Sequence, residues 1–145
     1  MAEYDALKLD HQLCFPLYAA SREIIKLYHG PLTKIGLTYT QYITMMVLWE
    51  EKKINVKSLG KRLFLDSGTL TPVLKTLEKE GYISRIRSSE DERVLMVEIT
   101  REGEKLKEKA AEIPKEIGSC ISLKEQDAKE LYRILYTILE NRNSQ

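Results

Sequence analysis

The stretch that decides the fold runs from residue 55 to residue 99 and reads NVKSLGKRLFLDSGTLTPVLKTLEKEGYISRIRSSEDERVLMVEI. Asn55 is a suitable N-cap, and Val56, Leu59 and Leu63 recur at helical spacing after it. The pattern predicts a short amphipathic helix from about residue 56 to residue 63, followed by a turn at residues 64–66.

A second helix follows that turn. Asp66 or Ser67 can cap its start, and Gly81 is suited to end it. Its inward positions recur at helical spacing and are apolar: Leu70, Val73, Leu74 and Leu77. Two short helices joined by a three-residue turn form a helix-turn-helix.

The outward face of the second helix indicates what it contacts. That face carries hydroxyls early and amines later: Ser67, Thr69, Thr71, Lys75, Thr76 and Lys79. Short hydroxyl side chains allow the backbone to approach a groove, and a helix N-terminus favours phosphate oxygens. A helix with a purely structural role usually carries more Glu on its surface, so this face favours DNA reading.

Two alternating segments come directly after the second helix, at residues 82–87 and 93–99, with a polar tip between them. They predict a β-hairpin, a wing at about 83–99. Arg85, Arg87 and Arg93 lie on it or at its tip, and arginines on a narrow ribbon suit a narrow, negatively charged minor groove. The alternative is a solvated hairpin in which Arg93 pairs with Asp91; such a pair would also aim the guanidinium.

Helices flank this unit on both sides. Before it, two apolar stripes follow a helical period: Leu13, Leu17, Ala20, Ile24, Leu27 and Cys14, Tyr18, Ser21, Ile25, Tyr28. Pro16 requires this helix to start late or bend near Cys14, and residues 29–31 predict its end. A capping box at Thr38 and Gln41 predicts the next helix, to about residue 51.

After the wing, one helix is expected at roughly 101–117, where Pro114 introduces a kink. A capping box at Ser122 and Glu125 then predicts a last amphipathic helix, whose apolar stripe needs a partner to bury it. The first and last helices together predict a dimer interface.

Composition sets the outer limits. The chain has 145 residues and a net charge of +1, which by itself does not predict nucleic-acid binding. The acidic start is unlike a secretory leader, and no run of about 18 apolar residues predicts a membrane span, so we expect a cytoplasmic protein. The spacings of the two Cys and two His predict no metal site, and we expect no cofactor.

Enzyme activity is not expected either. The sequence has no Cys-x-x-Cys, no evident Cys/His pair and no nucleotide-binding glycines. A thiol peroxidase is the enzyme alternative, which peroxide turnover with a thiol reductant would reveal.

Two runs of residues resemble the MarR family of transcriptional regulators. Residues 65–72, LDSGTLTP, together with Asp91-Glu92-Arg93, are similar to the family's recognition helix and wing. Residues 10–15, DHQLCF, followed by Leu17-Tyr18-Ala19 and Ser21-Arg22, resemble the OhrR-type organic hydroperoxide sensors within it. The resemblance covers about residues 7–142.

The resemblance implies a mainly α fold with a small β-hairpin wing (α+β), in one MarR-type domain over residues 1–145. The helical dimerisation region would comprise 1–36 and 101–145, and the winged helix-turn-helix 37–100. A homodimer would place its recognition helices in successive major grooves of a pseudopalindromic operator on double-stranded DNA, and act as a repressor.

The resemblance also implies a thiol sensor for organic hydroperoxides. A cysteine matching Cys14 is the reactive one; tyrosines matching Tyr28 and Tyr39 hydrogen-bond its thiolate across the dimer interface, and one matching Tyr18 lies nearby. A helix N-terminus and phenol donors both stabilise an anion, and attack on a peroxide gives a sulfenic acid. Cys120 is either a resolving thiol for a disulfide between subunits or a bystander.

Two departures and two further readings stay open. Thr76 stands where close relatives often have arginine, and Pro16 alters the chain beside Cys14. The same fold would suit a repressor released by a small aromatic ligand bound between the dimerisation region and the winged unit. It would also suit a broader thiol-based regulator of virulence or metabolism.

Overall fold

The computed structural model describes residues 3–143, so the predicted domain of residues 1–145 extends beyond the described range at both ends. Two 3-10 turns, Asp5–Leu7 and Leu9–His11, precede the first helix. The helices are α1 (Cys14–Lys34), α2 (Tyr39–Glu51), α3 (Val56–Leu63), α4 (Ser67–Lys79), α5 (Arg101–Ala110), α6 (Ile113–Cys120) and α7 (Glu125–Asn143). The strands are β1 (Lys53–Asn55), β2 (Ile83–Arg87) and β3 (Leu95–Ile99).

Helix α1 differs from its prediction at one end. It begins at Cys14, which confirms the late start, because Pro16 then lies in the first turn, where a backbone N–H has no helical partner. The predicted stop at residues 29–31 is wrong. The helix continues through Pro31, since one proline removes a single helical hydrogen bond while Leu32, 2% exposed, anchors the last turn in the core.

Side-chain caps define the starts of α2 and α3 as the sequence predicts. Thr38 and Gln41 form the capping box at α2, with bonds of 3.0 and 3.3 Å. The Oδ1 of Asn55 accepts the Ser58 N–H at 2.7 Å. Phe64 then ends α3 in the left-handed conformation, at a φ of 56°, and turns the chain toward α4.

The three strands form an antiparallel sheet in the order β1-β3-β2. Strands β2 and β3 are the predicted wing, with Ile83 opposite Ile99 and Arg87 opposite Leu95. Strand β1 was not predicted, because Lys53 belongs to a charged run, residues 50–53, and Asn55 was assigned only as an N-cap. It lies beside the far edge of β3, with Lys53 opposite Glu98.

The core joins the helix-turn-helix to the helices around it. Its members come from α1 through α6: Leu32, Leu37, Tyr42, Met45, Val47, Leu48, Trp49, Leu59, Leu70, Leu74, Leu77, Ile83, Val97, Leu106, Ala110, Ile113 and Ile117. Met46 is 43% exposed, because it points away from the side of α2 on which Met45 and Leu48 enter the core. The core is continuous from the winged unit into residues 101–117.

The single helix predicted at 101–117 is two helices, α5 and α6, with a break at residues 111–112. Pro114 lies at the start of α6, where proline is favoured, and so it begins a helix rather than kinking one. The capping box predicted at Ser122 is wrong, because α7 begins at Glu125 and that residue is the first of the helix. Among residues 3–143, no helix combines the length and the apolar character that crossing a membrane requires.

Candidate nucleic-acid interface and thiol site

Helix α4 presents its polar face to solvent from a capped start. The Oδ1 of Asp66 accepts the Thr69 N–H at 2.7 Å, and this bond lowers the pKa of the Asp66 carboxyl. Ser67, Thr69, Lys75 and Thr76 are exposed on the face predicted to read DNA. Helix N–H groups and short side chains therefore stand together at the surface, as contact with a phosphate backbone requires.

Two hydroxyls on this helix already donate their hydrogens to backbone carbonyls within the helix. Thr71, which is half-buried, donates to the Ser67 carbonyl at 2.7 Å, and Thr76 donates to the Pro72 carbonyl at 3.1 Å. In this arrangement each oxygen can only accept from a ligand. Toward DNA they would suit base amino groups rather than phosphate oxygens.

At the tip of the wing, hydrogen bonds to Asp91 orient the exposed side chain of Arg93. Arg93 makes two side-chain bonds to Asp91, from Nε and Nη2, each at 3.1 Å, and its backbone N–H donates to the same carboxylate at 3.0 Å. The Arg93 side chain is nevertheless 90% exposed, and its bonds lower the pKa of the Asp91 carboxyl. Pairing and exposure thus coexist: the carboxylate orients the guanidinium while leaving it accessible.

The other two arginines of the wing have different surroundings. Arg87 is exposed and lines an open groove with Lys53, Asn55 and Asp91. Arg85, predicted to contact DNA with them, is half-buried and paired with a carboxylate of α4 instead. The structure therefore brings Arg87 to the wing end and sets Arg85 apart. Lys53 was missed, since only strand pairing with β3 carries it to the wing.

Three tyrosines pack together where α1 meets α2. The ring centroids of Tyr28 and Tyr39 lie 4.9 Å apart, edge to face, and Tyr42 lies 5.9 and 6.2 Å from them. Burial raises the pKa of all three phenols, so they are neutral donors at pH 7. Tyr42 was not predicted as a member of this cluster, although its position three residues after Tyr39 places both on one side of α2.

Cys14 and Tyr18 lie away from this cluster. Cys14 is exposed at the first turn of α1, and Tyr18, one turn later, is 58% exposed with the Arg22 guanidinium 5.3 Å from its ring centre. Fourteen residues separate Cys14 from Tyr28, which is about 21 Å along a helix. A thiol–phenol contact would therefore have to come from the Tyr28 of a second copy.

Cys120 is the last residue of α6 and is exposed. Residues 118–120, which lie beyond the predicted end of the helix at 117, form the final turn of α6. Helix α6 packs against α1 and buries Ile113 and Ile117. Both thiols are free in this chain and both are open to solvent.

Large apolar side chains remain exposed on the N-terminal segment and on α7. They are at least 38% exposed: Tyr4, Leu7, Leu9, Leu13, Phe15, Leu17, Tyr18, Ile25, Leu27, Leu131, Tyr132, Ile134, Tyr136 and Ile138. Apolar surface this extensive is typical of an interface with another chain. It carries Cys14 and Tyr18 within it.

An open groove of about 940 Å³ separates α3 and α4 from the end of α7. Phe64, Leu65, Leu70 and Leu139 give it an apolar wall, and the charged residues Lys57, Lys61 and Asp66 also line it. Among residues 3–143, no group of His, Cys, Asp and Glu side chains is placed to hold a metal ion.

Comparison with known proteins places this geometry among regulators. The family described as transcriptional regulator SarA/Rot matches residues 26–110, more than half of the chain. The organic hydroperoxide resistance transcriptional regulator of Bacillus subtilis is 48% identical over 141 residues, which are 95% of this chain and 94% of that protein.

Two solved structures of AbfR, a Staphylococcus epidermidis protein, are also similar. Reduced AbfR bound to DNA has a TM-score of 0.78 at 34% identity and covers 97% of this chain and 99% of its own. Disulfide-formed AbfR has a TM-score of 0.63 at 32% identity and covers 99% and 97%. The present fold is thus closer to the reduced, DNA-bound form than to the disulfide form.

Proposed function

This chain belongs to the MarR-type, SarA/Rot-related family of transcriptional regulators, and on that premise we propose that it is a dimeric repressor that releases its operator when an organic hydroperoxide oxidises Cys14. One observation carries the proposal. Cys14 is exposed at the start of α1, within the apolar surface that a second copy would cover, in a chain that also presents an exposed recognition helix and wing.

DNA reading follows from the shape of residues 37–100, which we propose as the winged unit, with 1–36 and 101–145 as the dimerisation region. Helix α4 would enter a major groove, where Ser67, Thr69, Thr71, Lys75 and Thr76 reach bases and phosphates. Arg87 and Arg93 would enter the neighbouring minor groove from the wing. Two copies related by a two-fold axis would fit a pseudopalindromic operator whose half-sites lie about one helical turn apart.

The proposed signal is a redox step at Cys14. Its thiolate sulfur attacks the terminal oxygen of the hydroperoxide; an S–O bond forms as the O–O bond breaks, and the alkoxide leaves and takes a proton. The sulfur is oxidised to a sulfenic acid and the peroxide is reduced to an alcohol. Tyr28 and Tyr39 of the partner subunit would supply the phenol donors to the thiolate, with Tyr18 beside it.

Cys120 would complete the reaction as the resolving thiol. Its sulfur attacks the sulfenic sulfur of the partner subunit's Cys14, an S–S bond forms, and hydroxide leaves as water after taking a proton. The resulting strain between subunits would change the spacing of the two α4 helices. The lower similarity to disulfide-formed AbfR than to reduced AbfR supports a difference in chain conformation between those two forms of AbfR.

The similar proteins are regulators, and we propose that this chain has no catalytic turnover and acts in the cytoplasm, where the chromosome is. Each oxidation would consume one Cys14 thiolate until a cellular thiol reduces it. A peroxidase cycle with a thiol reductant would contradict this part of the proposal.

The experiment is fluorescence anisotropy on DNA from upstream of the chain's own gene, with and without tert-butyl hydroperoxide, at fixed salt. Wild type should release the DNA on oxidation, whereas Cys14→Ser should stay bound. Cys120→Ser, which removes the proposed resolving thiol, separates the two steps: DNA release by this variant would show that oxidation of Cys14 alone is sufficient, and retention would show that the disulfide is required. If wild type and Cys14→Ser both stay bound, the proposal that an organic hydroperoxide is the signal is wrong.

A second candidate rests on the 940 Å³ groove between α3, α4 and α7. Its apolar wall suits an aromatic ring and the lysines in its lining suit an anionic group, and binding of such a ligand would alter the position of α4. Release of DNA by such a ligand in the Cys14→Ser variant would favour this reading. A broader redox regulator of virulence or metabolism would show the same thiol chemistry at other promoters.

A further inference from the structure

The half-buried ion pair between Glu78 and Arg85 joins the recognition helix to the wing. The Arg85 guanidinium contacts Oε1 of Glu78 from Nε at 3.2 Å and from Nη2 at 2.9 Å. The backbone N–H of Arg85 donates to Oε2 of the same carboxylate at 3.2 Å. The Arg85 side chain is 23% exposed, in contrast to Arg93 at 90%.

The pair spans the one joint between the two DNA-reading elements. Helix α4 and strand β2 are connected by residues 80–82, and Gly81 reverses the chain there at a φ of 85°. Because β2 is an edge strand, its outward amides lack sheet partners. Glu78 satisfies one of these amides and the guanidinium at once, and the three bonds lower the pKa of its carboxyl.

We infer that Arg85 is a positioning residue rather than a DNA contact: together with Glu78 it sets the angle between α4 and the wing, so that both grooves are engaged at the same time. This inference rests on the proposed DNA-binding function. A guanidinium with two donors on a carboxylate and little exposed surface has less to offer a phosphate than Arg87 or Arg93 has.

The sign of one substitution separates the two roles. Glu78→Gln removes one negative charge from the recognition helix. Because that charge repels the DNA phosphates, electrostatics alone would tighten DNA binding. If Arg85 were a DNA contact, freeing it would tighten binding further. If the pair sets the angle, Glu78→Gln must weaken binding, because the wing no longer reaches its groove when α4 is seated.

The test measures operator affinity by anisotropy at fixed salt for Glu78→Gln, Arg85→Gln and the double variant. Each single variant should weaken binding by on the order of tenfold, and the double variant should be no weaker than either. Glu80→Gln, which removes the same charge two residues away, is the control and should bind as tightly as wild type or more tightly. Unchanged or tighter binding by Glu78→Gln would overturn the inference.

A second measurement excludes a merely structural loss. Arg93→Ala should weaken binding less in the Glu78→Gln background than in wild type, because the misplaced wing contributes little there. Additive losses would instead overturn the inference.

A DNA-free measurement keeps the inference separate from the proposed function. In the unbound protein, the Arg85 amide should exchange its hydrogen at least about tenfold faster in Glu78→Gln than in wild type. If wild type binds no operator, the proposed function fails while this measurement still decides whether the pair anchors the wing. An unchanged exchange rate would overturn the anchor.

Discussion

The indole N–H of Trp49 donates to the carbonyl oxygen of Gly103 at 2.9 Å, in a buried hydrogen bond that joins α2 to α5 across 54 positions of the chain. Gly103 lies so close to the wing that a Cβ built there would stand 2.3 Å from the Tyr82 carbonyl oxygen and 2.7 Å from Cγ1 of Ile99. The close approach of α5 to the sheet thus requires a glycine, which has no side chain, at position 103.

Gly103→Ala is therefore expected to destabilise the fold strongly, by about 1–3 kcal/mol or more, since the obstructing atoms include backbone. Urea unfolding at fixed protein concentration measures this. Gly118→Ala is the matched control, because a Cβ there meets nothing within 4 Å, and alanine in a helix is favoured over glycine. Equal stability of the two variants would contradict the packing described for α5.

Leu77→Ala should remove about 2–5 kcal/mol from the free energy of unfolding, because Leu77 is fully buried on the inner face of the recognition helix. The same urea experiment applies. Met46→Ala, at an exposed position of α2, should change stability by about 0.5 kcal/mol or less. A loss at Met46 as large as that at Leu77 would show that another surface covers α2 in the assembled protein.

Stability should depend on the Asp66 carboxylate in acid. The Thr69 N–H lowers the pKa of this carboxyl in the folded state, so the stabilisation is complete above the pKa of the unfolded chain. It is lost as the pH falls through the lower pKa of the folded state. Asn is a comparable N-cap that does not titrate, so between pH 7 and pH 3 the melting temperature of wild type should fall further than that of Asp66→Asn. If the melting temperatures of the two proteins fall in parallel with pH, the Asp66 cap is not the cause of the acid sensitivity.

Arg93→Ala should weaken operator binding by roughly one order of magnitude, as the loss of one good groove contact does. Anisotropy at fixed salt measures this, and the salt dependence should become shallower if the contact is to a phosphate. Arg101→Ala, at the start of α5 and the opposite end of the sheet, should leave affinity unchanged. Wild-type affinity for Arg93→Ala would remove the wing tip from the interface.

Cys120→Ser should abolish the covalent dimer that wild type forms on a non-reducing gel after treatment with tert-butyl hydroperoxide. Cys14→Ser should abolish it as well, because the disulfide needs both sulfurs. If wild type gives no covalent dimer, Cys120 is a bystander and the sensor operates with Cys14 and a small cellular thiol.

Local chemistry accounts for most of what could be predicted. Asn55, Asp66 and Thr38 act as caps because their partners lie three residues ahead. The Asp91–Arg93 pair spans two residues of one turn. The late start of α1 follows from Pro16. These interactions join residues two or three positions apart, so the local backbone conformation brings the partners together. A pattern of residue types in the sequence therefore reveals them.

What the sequence by itself determined is the helix-turn-helix, its caps, the hairpin with its tip arginine and the amphipathic character of the first and last helices. Only the tertiary structure decided that Lys53 lies beside the wing, that Arg85 faces Glu78 rather than solvent, and that Tyr28 of α1 packs against Tyr39 of α2. The reason is physical: these relationships depend on how separate elements pack, and packing is set by the whole core at once.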